Sequence, residues 1–145
     1  MKRANTVKSG NLAGLVRTGI YTATIEGIDL IDPSKKESVL FPSFLWRFRI
    51  AGSDHDGRYA RGLTPRTLHR LKKSANLGRL VEWLDVLHGT PITDQVVKKY
   101  SVQEVPVETL RSKYVNKTVK IRITVKYRFE GAVDYRVTSV KEVIK

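Results

Sequence analysis

A chain of 145 residues has the length of one domain, and its 41% hydrophobic content can furnish a core, so disorder throughout is excluded. It contains no cysteine, which removes disulfide scaffolds, thiolate zinc sites, iron–sulfur clusters and cysteine nucleophiles together. With 27 Lys and Arg against 14 Asp and Glu the formal net charge is +13, a potential that draws polyanions: nucleic acid first, an acidic protein or anionic membrane after it. The charge is spread along the chain, 8 basic and 4 acidic groups in residues 1 to 52, 7 and 4 in 53 to 90, and 12 and 6 in 91 to 145, so it belongs to the body of the protein. No run approaches the ~20 apolar residues of a membrane span, and no apolar stretch of a secretory signal follows Met1-Lys2-Arg3, so a soluble protein without a membrane partner is expected.

Residues 1 to 18 place Lys2, Arg3, Lys8 and Arg17 among Asn, Ser and Gly without a period and read as a mobile or loosely docked basic arm, leaving 19 to 145 as the domain. The β-branched run from Ile20 to Ile31, closed by Asp32-Pro33-Ser34, predicts a first strand. From Ser43 to Ala51 the alternation is clear: Phe44, Trp46, Phe48 and Ile50 share one face, and Leu45, Arg47 and Arg49 the other. The polar cluster from Gly52 to Gly57 predicts a turn, and Arg58 to Leu63 the returning strand of a hairpin. Residues 66 to 73 hold Arg66, His69, Arg70, Lys72 and Lys73, the densest basic cluster. Leu77, Leu80, Val81, Leu84 and Leu87 then repeat at helical spacing, with Asn76 as N-cap and Gly89 as stop. Residues 90 to 107 read as a long connection, and Pro106 opens a short helix through Tyr114. A fourth strand follows, with Val119, Ile121, Ile123, Val125, Tyr127 and Phe129 inward against Lys120, Arg122, Thr124, Lys126, Arg128 and Glu130 outward. After Gly131-Ala132, Val133 to Val143 make a fifth.

The order β-β-β-α-β-β, with one amphipathic helix between strands three and four, predicts a mainly β fold: a five-stranded, OB-fold-like barrel. The stretches Gly19-Ile20-Tyr21-Thr22-Ala23-Thr24-Ile25-Glu26-Gly27-Ile28, Phe44-Leu45-Trp46-Arg47-Phe48-Arg49-Ile50, Gly57-Arg58, Thr64-Pro65 and Leu77-Gly78-Arg79-Leu80 carry a resemblance that the closing block Asn116-Lys117-Thr118-Val119-Lys120-Ile121, Phe129-Glu130-Gly131 and Arg136-Val137-Thr138-Ser139-Val140 extends. Over residues 19 to 143 the chain resembles the small OB-fold single-stranded-DNA-binding proteins of phages and mobile elements. The resemblance implies a non-catalytic protein of replication or recombination in the cytoplasm of a bacterial or phage-infected cell. Its partners would be single-stranded DNA, or RNA, with a second copy of the chain and replication or recombination proteins as further candidates. Where cellular proteins of this class often end in an acidic tail, this chain ends Val140-Lys141-Glu142-Val143-Ile144-Lys145, so recruitment through such a tail is not expected.

Holding a single strand without reading its sequence takes cations for the phosphates and rings for the bases. The cations expected to serve are Arg47 and Arg49 on strand two, Arg58 and Arg61 on strand three, Arg66, Arg70, Lys72 and Lys73 ahead of the helix, and Lys120, Arg122, Lys126 and Arg128 on strand four. Tyr59 and Tyr135, with Tyr127 beside them, are the candidate stacking rings, whereas Phe44, Trp46 and Phe48 belong to a core. By helical position Trp83 lies away from the Leu77, Leu80 and Leu84 stripe, which leaves it two roles, covering a flank of the barrel or facing a partner. Asp54, His55 and Asp56 read as turn chemistry, no phosphate loop, nucleophile elbow or HExxH is present, and neither a metal nor another cofactor is expected. The rival reading is an interaction or assembly protein whose basic face binds an acidic protein or duplex nucleic acid.

Overall fold

A computed structural model of the protein describes residues 16–33, 41–70, 76–127 and 133–144. Five strands, β1 (Gly19–Ile31), β2 (Ser43–Ile50), β3 (Tyr59–Pro65), β4 (Thr118–Tyr127) and β5 (Val133–Val143), close a barrel in the order β1-β2-β3-β5-β4. Every seam is antiparallel except β3–β5, which is parallel and joined through the single register pair Arg61 and Arg136. The result is the expected mainly β, OB-like barrel. Between β3 and β4 the described residues form three short helices, α1 (Arg79–His88), α2 (Asp94–Lys99) and α3 (Val107–Tyr114), of which α1 and α3 are the amphipathic and the short helix expected and α2 is not.

The period-two pattern builds the interior. Phe44, Trp46, Phe48 and Ile50 of β2 and Val119, Ile121 and Ile123 of β4 are fully buried, while Arg47 and Arg49 between them are exposed. The alternation of β4 stops at the barrel rim: Val125 is half-buried and Tyr127 is 76% exposed, because the β4–β5 hairpin runs past the core and has nothing inside to face. Packing begins before β1, at the buried Val16. β1 serves two neighbours, residues 19 to 24 pairing with β4 and 23 to 31 with β2. Between Ile25 and Gly27 its register slips by one residue, a bulge that turns the long strand from one wall to the other and leaves Glu26 without a β2 partner. Gly27 then lies under the Arg47 guanidinium, where a Cβ would stand 2.0 Å from its nitrogen.

The helix α1 caps the core with Leu80, Val81, Trp83, Leu84 and Leu87. Trp83 does not face outward: at about 100° per residue it stands some 60° from Leu80, on the same stripe. Its ring meets Trp46 and Phe48 edge-on, with centroids 5.4 and 5.9 Å apart, and the Trp46 indole N–H donates to Thr64 Oγ1 at 3.0 Å. The helix starts later than its leucine spacing predicts. Asn76 to Gly78 form a turn, Gly78 takes the N-cap position without a side-chain bond, and Leu77 is left exposed. The C-terminus ends as expected on Gly89, at φ 90°, whose N–H reaches the Asp85 and Val86 carbonyls. The helix α2 interrupts the stretch expected to be irregular. It buries no residue, so it has no apolar stripe to betray it, and Thr93 caps it by accepting from the Val96 N–H. The helix α3 follows Pro106, buries Leu110 and Tyr114, and is tied to β1 by Arg111 Nε donating to the Ile28 carbonyl at 2.8 Å.

Candidate nucleic-acid interface

The hairpin β2–β3 turns through Gly52 to Gly57, where Asp56 accepts from the Gly52 N–H at 2.7 Å, and this sets the register of the two strands. Arg49 stands opposite Tyr59, Arg47 opposite Arg61, and Leu45 opposite Leu63. The parallel seam then sets Arg136 beside Arg61, so three arginine positions lie in register across β2, β3 and β5: Arg47, Arg61 and Arg136. Like charges directly opposite each other on neighbouring strands repel. Carboxylates relieve the row at both ends: Asp29 of β1 holds Arg47 at 2.8 Å, and Asp134 of β5 holds Arg136 at 2.6 Å and Arg61 at 3.3 Å. Burial pushes the Asp134 carboxyl up, but hydrogen bonds and charge from Arg136 and Arg61 outweigh it and hold it below the usual carboxylate range.

Above this row lies a groove of about 390 Å³ lined by Leu45, Arg47, Tyr59, Ala60, Arg61, Val133, Asp134 and Tyr135. Four residues expected from the sequence thus meet at one place: Arg47, Tyr59, Arg61 and Tyr135. Arg49 stands behind Tyr59, its guanidinium carbon 5.1 Å from the ring centroid and its Nη2 donating to the phenol oxygen at 2.5 Å. Lys126 is in register with Asp134 on the neighbouring strand, and the exposed Arg58 immediately precedes Tyr59. Neither pairs with a described carboxylate.

The remaining candidates stand elsewhere. Arg66 is a clamp and not part of a phosphate track: its side chain is 9% exposed and donates to the Ser43 and Ile31 carbonyls, Asp32 and Glu104, tying the start of β2 to the end of β1 and to the segment before α3. Arg70 is engaged likewise, with both its terminal nitrogens on Asp85, at 2.8 and 2.9 Å, and a further bond to the Ile92 carbonyl. Burial raises the Asp85 carboxyl, and bonds from Arg70 and the Ile92 N–H bring it below its ordinary value. Lys120 and Arg122 lie on β4, flanked by β1 and β5, and do not line the groove; Lys120 pairs with Glu142 at 3.2 Å. Lys72, Lys73 and Arg128 lie outside the described residues.

Two arginines were not expected. Arg136 completes the row, and its signal is the Asp134–Arg136 pair two apart on one strand face. Arg79, at the start of α1, is half-buried; burial lowers it below the ordinary guanidinium value, Glu82 raises it, and the charge of Arg136 lowers it further. A second hollow, about 350 Å³ among α1, α2 and α3, is lined mainly by apolar residues such as Leu84, Ile92 and Leu110 and has no arginine.

No helix among the described residues is long and apolar enough to cross a membrane. Compared with known proteins, the chain matches no family model and no curated sequence.

Proposed function

We propose that this is a non-catalytic single-stranded-DNA-binding protein, acting on strands exposed in replication or recombination and binding them with little sequence preference. One observation carries the reading: Arg47, Arg61 and Arg136 stand in register across the β2–β3–β5 wall, and the first two line a groove that Tyr59 and Tyr135 also line. Cations in line suit successive phosphates, and rings beside them suit unpaired bases, each stacked base contributing ~1–3 kcal/mol. The likeness of the strand motifs to the small phage and mobile-element proteins points the same way.

Arg47 and Arg61 line the groove, and Arg136 and Lys126 stand in register with Arg61 and Asp134 of its lining, with Arg58 next to Tyr59 in the chain. If about five phosphates are neutralised, log K falls against log salt with a slope of roughly −3.5. The test is competition between oligo-dT, which cannot pair with itself, and duplex DNA of equal charge. Tighter binding of oligo-dT supports the proposal. Equal or tighter binding of the duplex refutes it in favour of a basic face for duplex DNA.

A further inference from the structure

On a basic surface the obvious role for Arg49 is a phosphate contact. Its geometry is turned to something else. The bulge in β1 lifts Glu26 out of register with β2, and the freed carboxylate takes Arg49 Nε at 2.7 Å. The same guanidinium uses Nη2 to hold the Tyr59 hydroxyl and lies over the Tyr59 ring, within the ~6 Å at which a cation is attracted to a π face. Tyr59 is 54% exposed and would otherwise swing freely about its side-chain torsions. The sequence of contacts runs from a backbone irregularity, through a carboxylate and a planar fork, to a ring on the wall of the groove. Leu45, Ala60 and Val133 line that groove with apolar surface, which suits a base and not a phosphate. A volume of about 390 Å³ has room for roughly a dozen waters, and so for a planar heterocycle.

From this we infer that the groove takes an unpaired nucleobase against Tyr59, and that Arg49 is a positioning residue, fixed by Glu26, which sets the Tyr59 ring for stacking. The inference rests on the proposed function and deepens it. Its distinctive consequence is one of sign. Glu26 is an acidic group on a basic face, so if phosphate neutralisation were the whole of binding, Glu26→Gln would tighten it. If Glu26 holds the ring in place, the same change weakens binding to bases. Arg49→Lys separates the roles in a second way, because it keeps the charge a phosphate needs and loses the fork that reaches Glu26 and Tyr59 at once.

The experiment measures binding of labelled oligo-dT and of an abasic oligomer of equal length to the full chain, with thermal melts confirming that each variant folds. Wild type is expected to prefer oligo-dT. Tyr59→Ala should weaken oligo-dT binding roughly 5- to 150-fold, the range for one stacked base, and leave the abasic oligomer unaffected. Glu26→Gln and Arg49→Lys should each weaken oligo-dT several-fold without weakening the abasic oligomer. The inference is overturned if Glu26→Gln binds oligo-dT as tightly as wild type or more so, if Arg49→Lys keeps full affinity, or if either loses both oligomers equally. Wild type binding oligo-dT and the abasic oligomer alike overturns the base pocket and leaves the proposed function standing. Binding neither overturns both.

Discussion

Replacing Arg47 with alanine is expected to change the salt dependence of binding more plainly than the stability of the fold. Its ion pair with Asp29 joins side chains 48% and 44% exposed, and such a pair contributes only about 0.2–1 kcal/mol to folding. Its charge at the groove is another matter. Each phosphate neutralised on a single strand adds about 0.7 to the slope of log K against log salt, so the variant should be shallower by that amount. Between 50 and 200 mM salt one such contact accounts for roughly a 2.6-fold change in affinity. The loss at low salt should be larger, because Asp29 is released beside the groove with no partner for its charge. Arg47→Ala combined with Asp29→Asn should recover that extra loss and not the slope. The assay is anisotropy of labelled oligo-dT titrated at several salt concentrations. A slope identical to wild type in Arg47→Ala would refute the placement of Arg47 on a phosphate path.

Three further outcomes are expected. Arg66→Ala should lower stability by about 1–3 kcal/mol in urea titrations, because the part-buried Ser43 and Ile31 carbonyls lose their donor; its binding slope should stay at the wild-type value, and a shallower slope would return Arg66 to the phosphate path. Gly62→Ala sets a Cβ 2.6 Å from the Trp83 ring and 3.0 Å from the Val137 carbonyl, neither of which can retreat, and should cost about 1–3 kcal/mol; an unchanged urea midpoint would contradict the packing of α1 on β3. Asp134 and Asp85 both have carboxyls held below the ordinary value of about 3.9, so each contributes stability that is present above that pH and is lost as pH falls through the folded-state value. Urea midpoints should therefore drop on acidification, and less steeply in Asp134→Asn and Asp85→Asn; equal acid dependence in all three proteins would contradict the pairing.

The strands were legible because the wall of a small barrel has one dry face and one wet one, which a period of two reports directly. Phe44, Trp46, Phe48 and Ile50 declare β2 for that reason. The same rule misleads at Tyr127, where alternation persists beyond the core it would face. Charge alone marked Arg47, Arg61 and Arg66 alike, yet only a fold can tell them apart. The carbonyls that bury Arg66 come from Ser43 and Ile31, 23 and 35 residues away, and nothing local announces them. The row Arg47, Arg61 and Arg136 depends on hairpin register and on a parallel seam between strands far apart in sequence, so the local sequence does not place Arg136 in it. The role of Glu26 hangs on a bulge of one residue, which apolar periodicity does not resolve.

The central claim, that an unpaired strand lies along the β2–β3–β5 wall, is tested most directly by mapping amide and side-chain NMR shifts as oligo-dT is added to the labelled protein. The expected result is a continuous band of changes through Arg47, Tyr59, Arg61, Tyr135 and Arg136, with α2 and α3 unmoved. Changes confined to the helices or to β4, with that wall silent, would contradict it.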